Sequence, residues 1–274
     1  MSKVWLFPAG VERDYSTDLK RAVKNFNKEI DASIELLLNS RQDSFSDDIT
    51  SIFNALRNRA KDSFRGVIER LPGYFSITSM FNDKQWRLVV KAYTGFDIPR
   101  STGRLIDAPF RIEPAGIMPV LGVDAYRSEP WLAELQAMWV AENVRLIESI
   151  PYDQLDDMEG IIRRGVMAGL SMQEISRQIQ ERYHIPINRA DLIASDQIGK
   201  ANADLTIHRM GEAGVDHYIW RGVMDSRERQ LHVDREKKRF SLKNPPSGGH
   251  PGQAIRCRCW SEPDFTGSIF DITQ

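Results

Sequence analysis

The chain has 274 residues, enough for one large or two ordinary domains with a buried core. Its 37 Lys and Arg against 38 Asp and Glu exclude a protein that coats nucleic acid over its whole surface. Hydrophobic and charged fractions of 41% and 27% are those of a globular chain and exclude wholesale disorder.

Few apolar residues precede Glu12, Arg13 and Asp14, too few for the core of a signal peptide, and no apolar run reaches the length of a membrane span. A soluble protein with no membrane partner is expected. The only two cysteines, Cys257 and Cys259, are one residue apart and would close a strained ring, so a reducing cytoplasm or metal binding is expected rather than secretion.

Leu19, Val23, Phe26, Ile30, Ile34, Leu37 and Leu38 recur at steps of three and four, which predicts an amphipathic helix over 15–40. Ile49, Ile52, Phe53, Leu56, Ala60, Phe64, Val67, Ile68 and Leu71 predict a second over 47–71. The polar stretch Asn39 to Asp47 between them favours an antiparallel pair, with Pro72-Gly73 as its stop. A short helix is expected around Asp83–Tyr93. Gly95, Pro99, Gly103, Pro109, Pro114, Gly116, Pro119 and Gly122 then mark a linker or contact arm.

Helix resumes at Trp131, with Leu132, Leu135, Met138, Trp139, Leu146, Ile147 and Ile150 on one face and Pro151 as its expected end. Another helix is expected over 153–168. Ser171-x2-Glu174 reads as a capping box opening a helix through Tyr183, and a longer helix runs from about Asn188 to Glu212, closed by Gly214. Val215 to Val223 alternates and suits a strand. The tail from Ser261 to Gln274 shows no helical pattern and reads as a disordered or partner-docking segment.

The chemistry-bearing residues concentrate near the C-terminus. Trp220 is followed by Asp225-x-Arg227-x-Arg229-x2-His232, then Gly248-Gly249-His250-Pro251-Gly252, then Cys257-Arg258-Cys259-Trp260. From Arg221 to Arg258, ten Lys and Arg face four Asp and Glu. His232, His250, Cys257 and Cys259 have the chemistry of a four-ligand zinc site, although zinc cysteines are usually separated by two or more residues. The alternative makes the cysteines small buried hydrophobes and the histidines hydrogen-bonding struts. Asp225, Arg227, Arg229 and His232 could assemble a phosphodiester-cleaving site with His232 or His250 as general base. The favoured reading is structural, with Asp225 pairing bidentately with an arginine to fix the turn after Trp220. Arg235, Lys237, Lys238, Arg239 and Lys243 form a basic turn, expected to be solvated and mobile, able to contact DNA phosphates without reading bases.

Gly214, Val215, Tyr218, Trp220, Asp225, Arg227, Arg229, His232, His250, Pro251, Cys257, Arg258 and Cys259, in this order and after a capping-box helix and a long helix, resemble the phage Mu F-like minor head protein, or phage head morphogenesis, family. The resemblance covers about Trp131 to Pro263. The family's short Asp/Asn-Gly turn after the first histidine is replaced here by Asp234-Arg235-Glu236-Lys237-Lys238. The resemblance implies a non-enzymatic minor capsid component inside the head of a tailed bacteriophage, present in the host cytoplasm during assembly. Its implied partners are the portal, the scaffold or major capsid protein, and packaged double-stranded DNA, in procapsid assembly and DNA packaging or ejection.

The expected fold is α+β and mainly α-helical. It comprises a helical hairpin over 1–73, a Gly/Pro-rich arm over 74–130, a head-morphogenesis domain over 131–263 with a helical base and a small β-containing lobe, and a tail over 264–274. A nuclease using His232 and His250 and a zinc-stabilised interaction module are the competing readings. No cofactor is called for, zinc being the one alternative left open.

Overall fold

The computed structural model describes residues 5–38, 45–95, 97–98 and 129–272, with the side chains of residues 37–38, 45–48 and 172 outside that description. Of the arm expected over 74–130, residues 74–94 are helix instead and 99–128 lie outside the described residues, as do residues 39–44 of the polar stretch. In chain order the elements are α1 (Ala9–Leu38), α2 (Phe45–Ile68), α3 (Leu71–Thr94), α4 (Trp131–Met167), α5 (Met172–Glu181), α6 (His184–Glu212), β1 (His217–Arg221), the one-turn α7 (Gln230–Val233), β2 (Arg239–Ser241) and β3 (Trp260–Asp264). The fold is mainly helical with a small antiparallel sheet, as the patterning requires. The chain divides into two compact units, one of residues 12–72 and 140–195, the other of 1–11, 73–139 and 196–274.

The first unit is all helix. Leu19, Val23, Phe26, Ile30 and Ile34 of α1 are buried, as are Phe53, Leu56, Ala60 and Phe64 of α2, so each expected apolar stripe is a core face. Asp18 pairs with Arg70 at 2.6 Å, Glu29 accepts from Ser63 at 2.9 Å, and Phe26 meets Phe64 edge-on at 6.1 Å. Early residues of α1 thus meet late residues of α2 and the pair is antiparallel. Arg57 bridges Asp156 and Glu159 of α4 at 2.8 and 2.7 Å, fixing α2 against that helix. The buried polar groups are matched: Tyr15 donates to Asn143 at 2.8 Å and Gln154 to Asn27 at 2.7 Å.

Three expected boundaries move. Pro151 lies inside α4 instead of ending it. An interior proline costs roughly 3 kcal/mol, but Ile147, Ile150, Leu155, Met158 and Ile162 are buried on both sides of it. At roughly 1.5–3 kcal/mol per buried side chain their packing outweighs the break. Pro72-Gly73 does not follow α2 as a stop but opens α3, where the missing amide of proline would be unpaired anyway. The expected short helix at Asp83–Tyr93 is consequently the second half of a 24-residue helix. Met138, expected on the buried face of α4, is exposed, while its neighbour Trp139 is buried and donates to the Gln197 carbonyl at 2.9 Å.

The second unit carries the sheet, in the order β2-β1-β3 with both pairings antiparallel. Gly214 closes α6 at φ 68, with Val215 N–H returning to the Met210 carbonyl at 2.9 Å. This turn aims β1 so that Tyr218 and Trp220 face inward and are buried. They pack with Trp86 and Val90 of α3, Met210, Val215, Cys257, Cys259, Phe265 and Phe270. Phe265 and Phe270 pack on Trp86 at 5.9 and 6.2 Å, so the segment read as a disordered or partner-docking tail belongs to the core as far as Phe270. A buried polar cluster ties α6 to α3 and to Glu129. Arg209 takes the Glu129 carboxylate at 2.6 and 3.0 Å, and Asn82 donates to Thr206 at 2.8 Å. Arg209 is only 4% exposed, and an unpaired charge so buried would be strongly destabilising.

Candidate functional site

Between β1 and β3 the chain has almost no regular structure, and single side chains replace it. Asp225 accepts the Arg227 amide at 3.0 Å in a local turn. Its carboxylate also takes Arg258 bidentately at 2.6 and 2.5 Å, and Arg227 at 2.8 Å. The Arg258 pair, then Arg227, holds the Asp225 carboxyl well below the usual carboxylate range. The expected arginine pair therefore forms, and its partner is Arg258, 33 residues away.

Arg229 donates to the Ile255 carbonyl and begins α7, whose His232 N–H returns to the Arg229 carbonyl at 2.8 Å. The turn of α7 drives His232 inward, where it is 4% exposed with its ring edge-on to Trp220 at 5.2 Å. There it meets both thiols: His232 Nδ1 lies 3.5 Å from Cys257 Sγ and 3.4 Å from Cys259 Sγ. His232, Cys257 and Cys259 place ligand-capable atoms within 4.8 Å of one another, all buried. Glu228, four residues before His232, borders the group. Its Oε1 lies 3.2 Å from Cys259 Sγ and 3.4 Å from His232 Nδ1.

The two sulfurs compete for protons. Cys259 donates towards Cys257 and draws the Cys257 thiol down, against burial, with the Gly252 N–H also bonding the Cys257 sulfur at 3.4 Å. The same contact, burial and the Glu228 carboxylate push Cys259 up. One thiolate is favoured in this pocket without any cation, and a second is resisted.

His250 stands outside this group. Its Nδ1 faces the Tyr218 hydroxyl at 3.2 Å and its N–H donates to Gln253 at 2.8 Å. Burial lowers the His250 pKa and pushes Tyr218 up to about 12. Of the four residues grouped from sequence, the structure brings His232, Cys257 and Cys259 together and places His250 apart from them. Pro251 and Gly252 are buried beneath α6. Gly252 has φ +90, and a Cβ added there would lie 2.6 Å from Ala203 Cβ, so only glycine fits.

The basic turn is also corrected. Arg235 is 7% exposed, donates to the Ser247 carbonyl at 2.7 Å and lies 5.0 Å over the Trp220 ring, so it is a strut of the core and not a DNA contact. The turn is paired to β1 by its backbone, where Lys237 N–H bonds the Trp220 carbonyl and Trp220 N–H bonds the Lys238 carbonyl, both at 2.9 Å. Lys237, Lys238, Arg239 and Lys243 are exposed, with Arg239 paired to Asp264 at 2.7 Å. Glu228 is the residue that the sequence reading missed. It lies in the bend before the extended Arg229, where sequence spacing gives no rule for what a side chain meets.

Among the described residues no helix is long and apolar enough to cross a membrane. Over 142 residues the chain is 34% identical to an uncharacterized protein of Haemophilus influenzae, a match taking in 50% of this chain and 32% of that relative's length. No solved structure matches the chain significantly. Residues 156–261 match the family model of "Phage Mu protein F like protein", which begins inside α4 and ends on β3, so that it contains every residue from Asp225 to Cys259 described above. Over that segment the chain is similar to the phage Mu protein F-like family, which supports the resemblance read from its residues.

Proposed function

We propose that this chain is a minor head protein of a tailed bacteriophage, placed inside the head at the portal vertex and acting in procapsid assembly and in DNA packaging or ejection. The family match over residues 156–261 is the observation that carries this reading. The chemistry of the site agrees with a structural role. Asp225 is committed to Arg258, His250 to Tyr218, and His232 to a buried cluster, so the acids and bases that a nuclease would need are engaged with the protein itself.

The portal is the partner proposed for the assembling head, with the scaffold or major capsid protein as further contacts. Packaged DNA is contacted non-specifically through Lys237, Lys238 and Lys243 on the rigid turn after α7. Isolation of assembling heads followed by crosslinking is the direct test. Crosslinks from this chain to the portal are expected, and its absence from the particles would overturn the reading. With linear DNA, binding without cleavage is expected, weakening as salt rises with a logarithmic slope of about −2.7 if three phosphates are neutralised, by the relation of about 0.9 per phosphate. Cleavage abolished by His232→Ala would instead establish an enzyme.

A further inference from the structure

The cluster under Trp220 has a centre that hydrogen bonding does not account for. An imidazole nitrogen offers one proton or one lone pair, yet His232 Nδ1 is approached by Cys257 Sγ at 3.5 Å, Cys259 Sγ at 3.4 Å and Glu228 Oε1 at 3.4 Å. At most one of the three contacts can be a hydrogen bond at a time. The Glu228 side chain is 5% exposed, and its second oxygen, Oε2, is buried with no hydrogen-bond partner among the described residues. A carboxylate in that condition is costly unless something positive sits beside it.

We propose that Glu228, His232, Cys257 and Cys259 are the four ligands of a structural zinc ion. The spacing supports this. With Zn–S near 2.3 Å and Zn–N and Zn–O near 2.0–2.1 Å, a regular tetrahedron separates sulfur from nitrogen by about 3.5 Å and nitrogen from oxygen by about 3.3 Å. The corresponding separations here are 3.4–3.5 Å and 3.4 Å, with Cys259 Sγ 3.2 Å from Glu228 Oε1. One cation held by the close group of His232, Cys257 and Cys259, with the bordering Glu228 carboxylate as fourth ligand, would replace the three competing contacts at His232 Nδ1.

The local chain prepares the ligands. The turn from Glu228 through the extended Arg229 into α7 brings Glu228 to 3.4 Å from His232, and Arg256 at φ 52 turns the chain just before the two cysteines that meet the histidine. The Gly252 N–H directed at Cys257 Sγ favours the thiolate that a metal requires. Two thiolates and a carboxylate leave one negative charge in excess of zinc, and Arg258 is close enough to feel both Glu228 and Cys259. Two soft sulfurs with a nitrogen in tetrahedral array select zinc over calcium or magnesium, which take oxygen ligands. Four protein ligands in a buried site leave no open position, so the ion would pin Glu228 to His232 and Cys257 to Cys259 rather than do chemistry.

Metal analysis of the whole chain purified without added zinc tests the proposal. Close to one zinc per chain is expected, and protein without zinc that also fails to take up added metal would overturn it. Glu228→Gln and Cys259→Ser should each weaken zinc at least about 100-fold against a competing chelator, beyond the range of a supporting residue. His250→Asn should leave zinc affinity within about twofold. Equal affinity in Glu228→Gln, or a loss confined to His250→Asn, would refute the ligand assignment. Because a ligand variant could fail to fold, wild-type protein loaded with cobalt gives an independent reading. A thiolate-to-cobalt charge-transfer band with the intense visible bands of a tetrahedral site is expected, and the weak spectrum of octahedral cobalt would contradict it.

Discussion

The helical unit of residues 12–72 and 140–195 and the segment from β1 to β3 solve the same problem in opposite ways. In the first, burial repeats with the helix period, and Leu19, Val23, Phe26, Ile30 and Ile34 each add a similar increment to one continuous core. In the second, three short strands and one helical turn cannot bury enough surface, and individual contacts carry the structure: Asp225 with Arg258, Arg235 over Trp220, and the group around His232. A core made of many equal parts tolerates the loss of one. A core fastened at a few points does not.

Metal removal should break this contrast most severely. Structural zinc in small domains contributes on the order of 10 kcal/mol of apparent binding free energy. Chelation is therefore expected to expose amides of residues 217–265 to hydrogen exchange while those of α1 and α2 stay protected. Phe53→Ala is the matching injury to the helical unit, since Phe53 is fully buried. Chemical denaturation should show a loss of about 3–5 kcal/mol, with zinc content unchanged. Gly252→Ala combines positive φ with the approach to Ala203, and should destabilise by more than the roughly 1–2 kcal/mol of the backbone alone, read from the thermal midpoint.

Smaller effects sharpen the comparison. Ser171 caps α5 through its bond from the Glu174 N–H at 3.2 Å, so Ser171→Ala should cost about 1 kcal/mol in thermal denaturation. His250 has its pKa lowered by burial, so the unfolded chain binds the proton more readily. The neutral ring's contribution is full above the unfolded value of about 6.5 and is lost as pH falls from there towards the folded value. Stability measured across that window should rise with pH in the wild type and rise less in His250→Gln.

The same contrast explains what could be read from residues alone. The helices were legible because an apolar stripe has a period, and even the errors there have simple causes. Pro151 was weighed by its local cost without the packing on either side of it, and Pro72 was read as an end where it is a beginning. Within 222–259 no period exists. The residue types of the buried cluster are visible, but a loop gives no rule for which histidine arrives, so sequence groups His250 with the cysteines and passes over Glu228 as a spacer. Charge alone placed Arg235 on the surface, whereas Trp220 offers its guanidinium an aromatic face and Ser247 a carbonyl. Phe265 and Phe270 carry no pattern because they fill a gap beside Trp86 one residue at a time.

X-ray absorption at the zinc edge, on the intact chain purified without added metal, addresses the fastening of the C-terminal lobe most directly. Two sulfur neighbours at about 2.3 Å and two nitrogen or oxygen neighbours at about 2.0–2.1 Å are expected. A shell made only of light atoms, or no zinc absorption at all, would contradict it.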